Sequence, residues 1–195
     1  MKKIAVMIDG GFVRVLARKA GKTYDPAFIE KVGLACRGDA EEIHRILYYD
    51  CPPYEGTVTL PVSGGKHKFT GSDTWMNELA RRDLFAVRRG VLKFRGWTPR
   101  KIPIAASVAA LKDSDFGPDF EQKGVDMRIG LDMANYASNR SVELIALMTN
   151  DTDCIPAMKY ARRAGLQVVL LCVPGCTPAP ELLGHCDFVR HVAWP

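Results

Sequence analysis

Two apolar stretches of this chain run directly into aspartates. Ile4-Ala5-Val6-Met7-Ile8 ends at Asp9, and Leu144-Ile145-Ala146-Leu147-Met148 continues into Thr149-Asn150-Asp151-Thr152-Asp153. Asp126 follows Lys123-Gly124-Val125 where a helical pattern begins. If the two apolar stretches are neighbouring parallel strands, their carboxylates converge beyond the carboxyl ends of the strands, where open α/β sheets bind ligands. Crowded carboxylates raise one another's pKa unless a cation is present. A hard divalent ion with oxygen ligands, Mg²⁺ or Mn²⁺, is the common resolution. One or two such ions activate water and stabilise the leaving oxygen of a phosphodiester. Asp9, Asp126, Asp151 and Asp153 are therefore the candidate catalytic and metal-binding residues. Each also has an ordinary reading. Asp9 before two glycines suits a turn, Asp153 or Thr152 suits a helix cap, and Asp126 suits a first-turn dipole partner. Asp132, six residues past Asp126, points about 120° away around a helix and reads as structural or supporting.

Charge points to the substrate. The chain carries a net +5. The window from Arg81 to Lys101 holds eight cations against Asp83 alone. Localised basic charge suits a nucleic-acid backbone, while a solvated strand and helix face is the equal alternative. Arg88, Arg89, Lys93 and Arg95 are the expected backbone contacts, with Lys123 and Asn150 on a phosphate near the carboxylates. Trp75, Phe94 or Trp97 could stack bases, although core packing is the expected role of at least two of them. The expected partner is RNA, with single-stranded DNA as the lesser alternative. Cys172, Cys176, His185, Cys186 and His191 gather near the C-terminus, but their spacing fits no zinc-site pattern. Asp9-Gly10-Gly11 lacks dinucleotide-binding glycine spacing. No Walker, Ser-His-Asp or Cys-His constellation appears.

These residues need a frame. A chain of 195 residues suits one domain spanning 1–195 with a sizeable core. Residues 4–8, 43–49, 142–148 and 166–173 read as buried strands. Helices are expected over 12–19, 26–35, 73–83, 125–137 and 152–164. Asp25 and Pro26 mark one start, and Gly165 marks one end. Residues 85–97 read as strand with basic side chains outward, and 112–123 as a loop containing Gly117-Pro118. Residues 54–72 have no assignment. Alternating strands and helices indicate an α/β domain around a mainly parallel sheet. No apolar run approaches the roughly 20 residues that span a bilayer, and no signal segment follows the first strand. The expectation is a cytoplasmic protein without a membrane partner.

The combination of Ile8-Asp9-Gly10-Gly11-Phe12, Tyr48-Tyr49-Asp50, Lys123-Gly124-Val125-Asp126-Met127 and Thr149-Asn150-Asp151-Thr152-Asp153 with Pro156 resembles the NYN family, in its LabA-like branch. Gly165-Leu166-Gln167-Val168 fits the family's helix-to-strand turn, and the resemblance runs from residue 4 to about 173. It implies a PIN-like three-layer α/β/α fold and divalent-metal hydrolysis of RNA, with the family's acidic residues at Asp9, Asp126, Asp151 and Asp153. It also raises a homodimer, since PIN-like domains often pair. Two departures stand out. Gly11 and Phe12 occupy the region where many members carry Asn, and Thr149-Asn150 replaces the usual Ser-Gly. The alternatives are a non-catalytic nucleic-acid- or protein-binding module on the same fold, and a metal-dependent phosphatase.

Overall fold

The computed structural model describes residues 1–104 and 107–195. In chain order its elements are β1 (Lys2–Asp9), α1 (Gly10–Lys19), α2 (Pro26–Ala35), β2 (Glu41–Asp50), β3 (Gly56–Thr59), β4 (Lys66–Phe69), α3 (Thr74–Leu79), β5 (Phe85–Arg89), β6 (Val91–Pro99), β7 (Phe116–Lys123), α4 (Val125–Asn139), β8 (Leu144–Met148), α5 (Ile155–Arg163), β9 (Gln167–Cys172), α6 (Pro180–Leu183) and β10 (Phe188–His191). Six strands form one sheet in the order β10-β9-β8-β1-β2-β5, and every adjacent pair is parallel.

Both faces of this sheet are covered, which is why its strands are apolar without alternation. Met7, Leu47, Tyr49, Leu147 and Leu170 face a layer built on Ile129 and Met133 of α4 and Met158 of α5. Ile8, Ile46, Tyr48, Met148 and Leu171 face Val13 of α1, Ile29 and Val32 of α2, and Leu79 of α3. The result is the expected three-layer α/β/α arrangement. Among the described residues no helix is long and apolar enough to cross a membrane.

Local chemistry sets the helix ends. Asp25 accepts a hydrogen bond from the Phe28 N–H at 2.8 Å, and Pro26 occupies the first turn of α2. Gly165 has φ 95° just past α5, a conformation that glycine adopts without strain.

Two expectations are corrected. Residues 112–123 are not simply a loop, because β7 begins at Phe116 and pairs antiparallel with β6. Gly117 and Pro118 lie opposite Thr98 and Trp97. Pro118 is tolerated because a two-stranded ribbon has open edges where a missing N–H breaks no ladder. The single strand expected over 85–97 divides at Gly90 into β5, in the main sheet, and β6, in the ribbon. The unassigned stretch 54–72 contains a second small ribbon, β3 with β4. The two ribbons meet through an aromatic cluster in which Phe69 and Phe120 are 5.4 Å apart, and the Trp97 indole donates to the Thr59 carbonyl at 2.8 Å.

Candidate metal centre and its surroundings

Going outward from β1, the chain leaves on one side through β2 and β5 and on the other through β8, β9 and β10. The boundary between β1 and β8 is the switch point of the sheet, and the crevice above it is where ligands of open α/β folds sit. Asp9 closes β1 there. Met148 lies beside Ile8 in the register, so residues 149–153 leave β8 at the same level. This pairing brings Asp9 within reach of Thr149, whose hydroxyl donates to Asp9 Oδ2 at 3.1 Å.

Asp9 is nearly buried, at 9% exposure. It caps α1, accepting the Phe12 N–H at Oδ1 over 3.1 Å. Burial pushes its carboxyl above the ordinary range, the Phe12 and Thr149 hydrogen bonds pull it back, and Asp126 and Asp50 push it further up. Asp126 stands in the first turn of α4, where burial first and then Asp151 and Asp153 raise its pKa. Asp151 caps the short turn of residues 152–154 by accepting the Asp153 N–H at 2.8 Å, and its own N–H donates to Thr149 Oγ1. The cap is therefore Asp151 rather than Thr152 or Asp153. Asp153 is exposed beyond it.

The convergence of the four groups is also felt by Cys154. Its buried thiol is pushed up to about 12, by burial first and then by Asp151, Asp126, Asp9 and Asp153. Among the described residues none of the four carboxylates has an ion pair. No three His, Cys, Asp or Glu side chains among those residues stand close enough to hold one ion between them. An all-oxygen set of this kind fits a hard cation that keeps most of its water and takes one or two carboxylates directly. It does not fit a softer metal held by a closed cage.

The other expected contacts are dispersed. Arg88 Nε bonds Asp132 at 2.9 Å, and Asp132 also accepts from the Tyr49 hydroxyl. Asp132 thus supports β2 and β5, as expected from its angle on α4. Arg89 is bound to Asp73 and Asn77, each at 2.6 Å. Arg95 and Lys123 share Glu121. Lys93 has no ion pair among the described residues. Asn150 accepts the Ala179 N–H at 2.8 Å, which ties the loop after β8 to the start of α6. Trp75 packs edge-on to Tyr48 at 5.9 Å, and Phe94 and Trp97 belong to the ribbon cluster. Burial raises the thiols of Cys172, Cys176 and Cys186, and among the described residues no three metal-ligating side chains stand close enough to hold an ion.

Sequence reasoning missed a second carboxylate site beside the first. Asp50, at the end of β2, is fully buried. Its Oδ2 receives Arg14 Nη1 at 2.5 Å and the Tyr48 hydroxyl at 3.0 Å. Its Oδ1 receives the Cys51 N–H at 2.8 Å and Gln122 Nε2 at 3.2 Å. The pair of glycines after Asp9 now has a reason. A Cβ at Gly10 would sit 2.9 Å from Asp50 Oδ2 and collide with the Tyr48 ring. One at Gly11 would sit 2.9 Å from Gln122 Oε1. Both glycines let the start of α1 lie against β2 and β7, and the buried Tyr48-Tyr49-Asp50 run was the available signal.

The NYN domain matches residues 73–191 of this chain, which include Asp126, Asp151 and Asp153. The chain belongs to the NYN family. Asp9 precedes the matched stretch and is brought beside the Asp151–Asp153 loop by the β1–β8 pairing. NYN membership supports a nuclease role. The fold is similar to the crystal structure of a protein of unknown function from Vibrio parahaemolyticus, with a TM-score of 0.56 and 16% identity over 97% of this chain and 92% of that one. At that identity the likeness concerns the fold alone. A search of curated proteins finds no match.

Proposed function

We propose that this NYN domain is a metal-dependent nuclease that hydrolyses phosphodiester bonds in RNA, using Mg²⁺ or Mn²⁺. One observation carries the reading: four carboxylates converge on the switch-point crevice, and none has an ion pair among the described residues. Retaining them there is costly to the fold unless a cation joins them. The reading places the domain in the PIN-like superfamily and its LabA-like branch, as the sequence resemblance implies.

The ion, when bound, supplies charge neutralisation for the phosphate and acidifies the attacking water. Asp9 is the most rigid of its holders, fixed through both carboxylate oxygens by Phe12 and Thr149. Asp126 and Asp151 would reach the ion directly or through water, and exposed Asp153 would orient the attacking water. The start of α4 lies at this edge with no side-chain cap from Gly124, and its N–H groups would favour the negative charge of the substrate. Arg81, Lys93, Arg100 and Lys101 form no ion pair among the described residues, which leaves their charge for the RNA backbone. Six free thiols suit a reducing compartment such as the cytoplasm.

The test is cleavage of end-labelled single-stranded RNA in Mn²⁺ and in Mg²⁺, with EDTA controls, beside Asp9→Asn and Asp153→Asn. Metal-dependent products lost in both variants are expected. Full cleavage by either variant, or no cleavage by folded wild type in either metal, would overturn the proposal.

A further inference from the structure

Most of the arginines that the sequence offers for nucleic acid are already spent on partners within the fold. Arg82, Arg88, Arg89 and Arg95 each hold a carboxylate. A different pair stands out on α1. Arg14 and Arg18 lie four residues apart, on one helix face. Both line a cavity of about 440 Å³ together with Tyr24, Pro53, Trp75 and Leu92. That size is within the range of small-ligand sites.

The cavity neighbours the sheet edge of the carboxylates, because Arg14 and Cys51 in its wall both bond Asp50. In the register Asp9 stands beside Tyr49, so Asp50 is the next residue along the same sheet edge. Arg14 is preorganised there. Its Nη1 is fixed on a fully buried carboxylate, and its other two nitrogens have no protein acceptor among the described residues. Arg18 is exposed and has no ion pair among the described residues. A guanidinium held at one end with free donors at the other suits the bidentate recognition of a phosphate. The half-buried rings of Tyr24 and Trp75 give the same cavity an apolar wall suited to a sugar or base.

The geometry points to this cavity as the subsite for a backbone phosphate of the nucleic-acid strand, next to the bond that is cut, with Arg14 and Arg18 as its ligands. The assignment names a substrate contact of the nuclease reading and rests on it. It is also independent of metal, because neither arginine belongs to the carboxylate set.

Binding is therefore measured in EDTA, by fluorescence anisotropy of a labelled short single-stranded RNA, across a salt series. Arg18→Glu is expected to raise Kd about tenfold and to lower the salt slope by about 0.7, because one phosphate fewer is neutralised. Arg14→Lys keeps a charge against Asp50 while removing the fork, and is expected to weaken binding by a smaller factor. A single uncharged methylphosphonate, moved along the RNA, should weaken wild type at one position and leave Arg18→Glu unaffected there. The DNA strand of the same sequence runs in parallel, and the tighter of the two names the source of the phosphate. Wild-type Kd and salt slope in both variants, once their thermal unfolding matches wild type, would overturn the subsite. If wild type fails to cut RNA in Mn²⁺ while Arg18→Glu still loses affinity, the nuclease reading fails and the subsite stands. If wild type cuts and Arg18→Glu binds normally, the subsite alone fails.

Discussion

Asp9 and Asp50 end adjacent parallel strands and are both buried, yet their surroundings are opposite. Asp50 meets a guanidinium, a phenol, an amide and a backbone N–H. Asp9 meets one N–H and one hydroxyl, and its nearest charged influences are Asp126 and Asp50, both of the same sign. A carboxylate with every lone pair answered stabilises a junction. One left short of positive charge is poised for a cation from solution. Burial alone would not separate the two; the sign of the neighbouring charge does.

The largest expected effect comes from breaking the satisfied member. Asp50→Ala leaves Arg14 without its partner and should cost about 3–5 kcal/mol of unfolding free energy in a denaturant titration. A cost below about 1 kcal/mol would erase the distinction drawn between the two sites. Next comes Asp9→Asn, which should reduce RNA cleavage by at least about a hundredfold, or roughly 2.7 kcal/mol. Its unfolding midpoint should move far less than that of Asp50→Ala.

Metal addition should act on one site only. At about a hundred times its Kd, Mn²⁺ should stabilise the wild type by about 2.7 kcal/mol by mass action. Asp50 variants that remain folded should keep this increment, and Asp126→Asn should lose most of it. Differential scanning fluorimetry with and without EDTA checks both.

The smallest effect concerns pH. The folded-state pKa of Asp126 is raised above its ordinary value of 3.8, so the fold favours the neutral form. That preference stabilises fully below 3.8 and is lost as pH rises through the folded pKa. In EDTA, Asp126→Asn should therefore exceed wild type in stability at neutral pH, by no more than about 1 kcal/mol for a half-exposed group. The gap should close as pH falls toward 3.8. A gap that widens on acidification would contradict the like-charge crowding.

The same contrast governs what could be read before the fold was seen. β1, β8 and β9 were legible because burial on both faces leaves uninterrupted apolar runs, and α2 because Asp25 and Pro26 announce its start. The aspartates after β1 and β8 stood out by ending such runs. Asp50 did not, since Asp50-Cys51-Pro52-Pro53 looks like an ordinary turn and its partner Arg14 lies 36 positions away. β3, β4, β6 and β7 were obscured for another reason. They pair only within two-stranded ribbons, and β3, β4 and β7 are largely polar; the strand character of β6 was legible, but not its separation from β5. Charge counted along the basic window does not reveal which of its arginines are held by acids, as Arg82, Arg88, Arg89 and Arg95 are.

The bond between Thr149 and Asp9 joins residues 140 positions apart. Asp9 leaves the ribosome long before Asp151 and Asp153 exist. A growing chain, or any fragment cut between β1 and β8, thus holds only part of the carboxylate set. The centre comes into being only when the two middle strands of the sheet zip together, a distant contact of the kind that forms slowly in folding. Under the nuclease reading, a nascent chain would gain its full carboxylate set only after synthesis has passed β8.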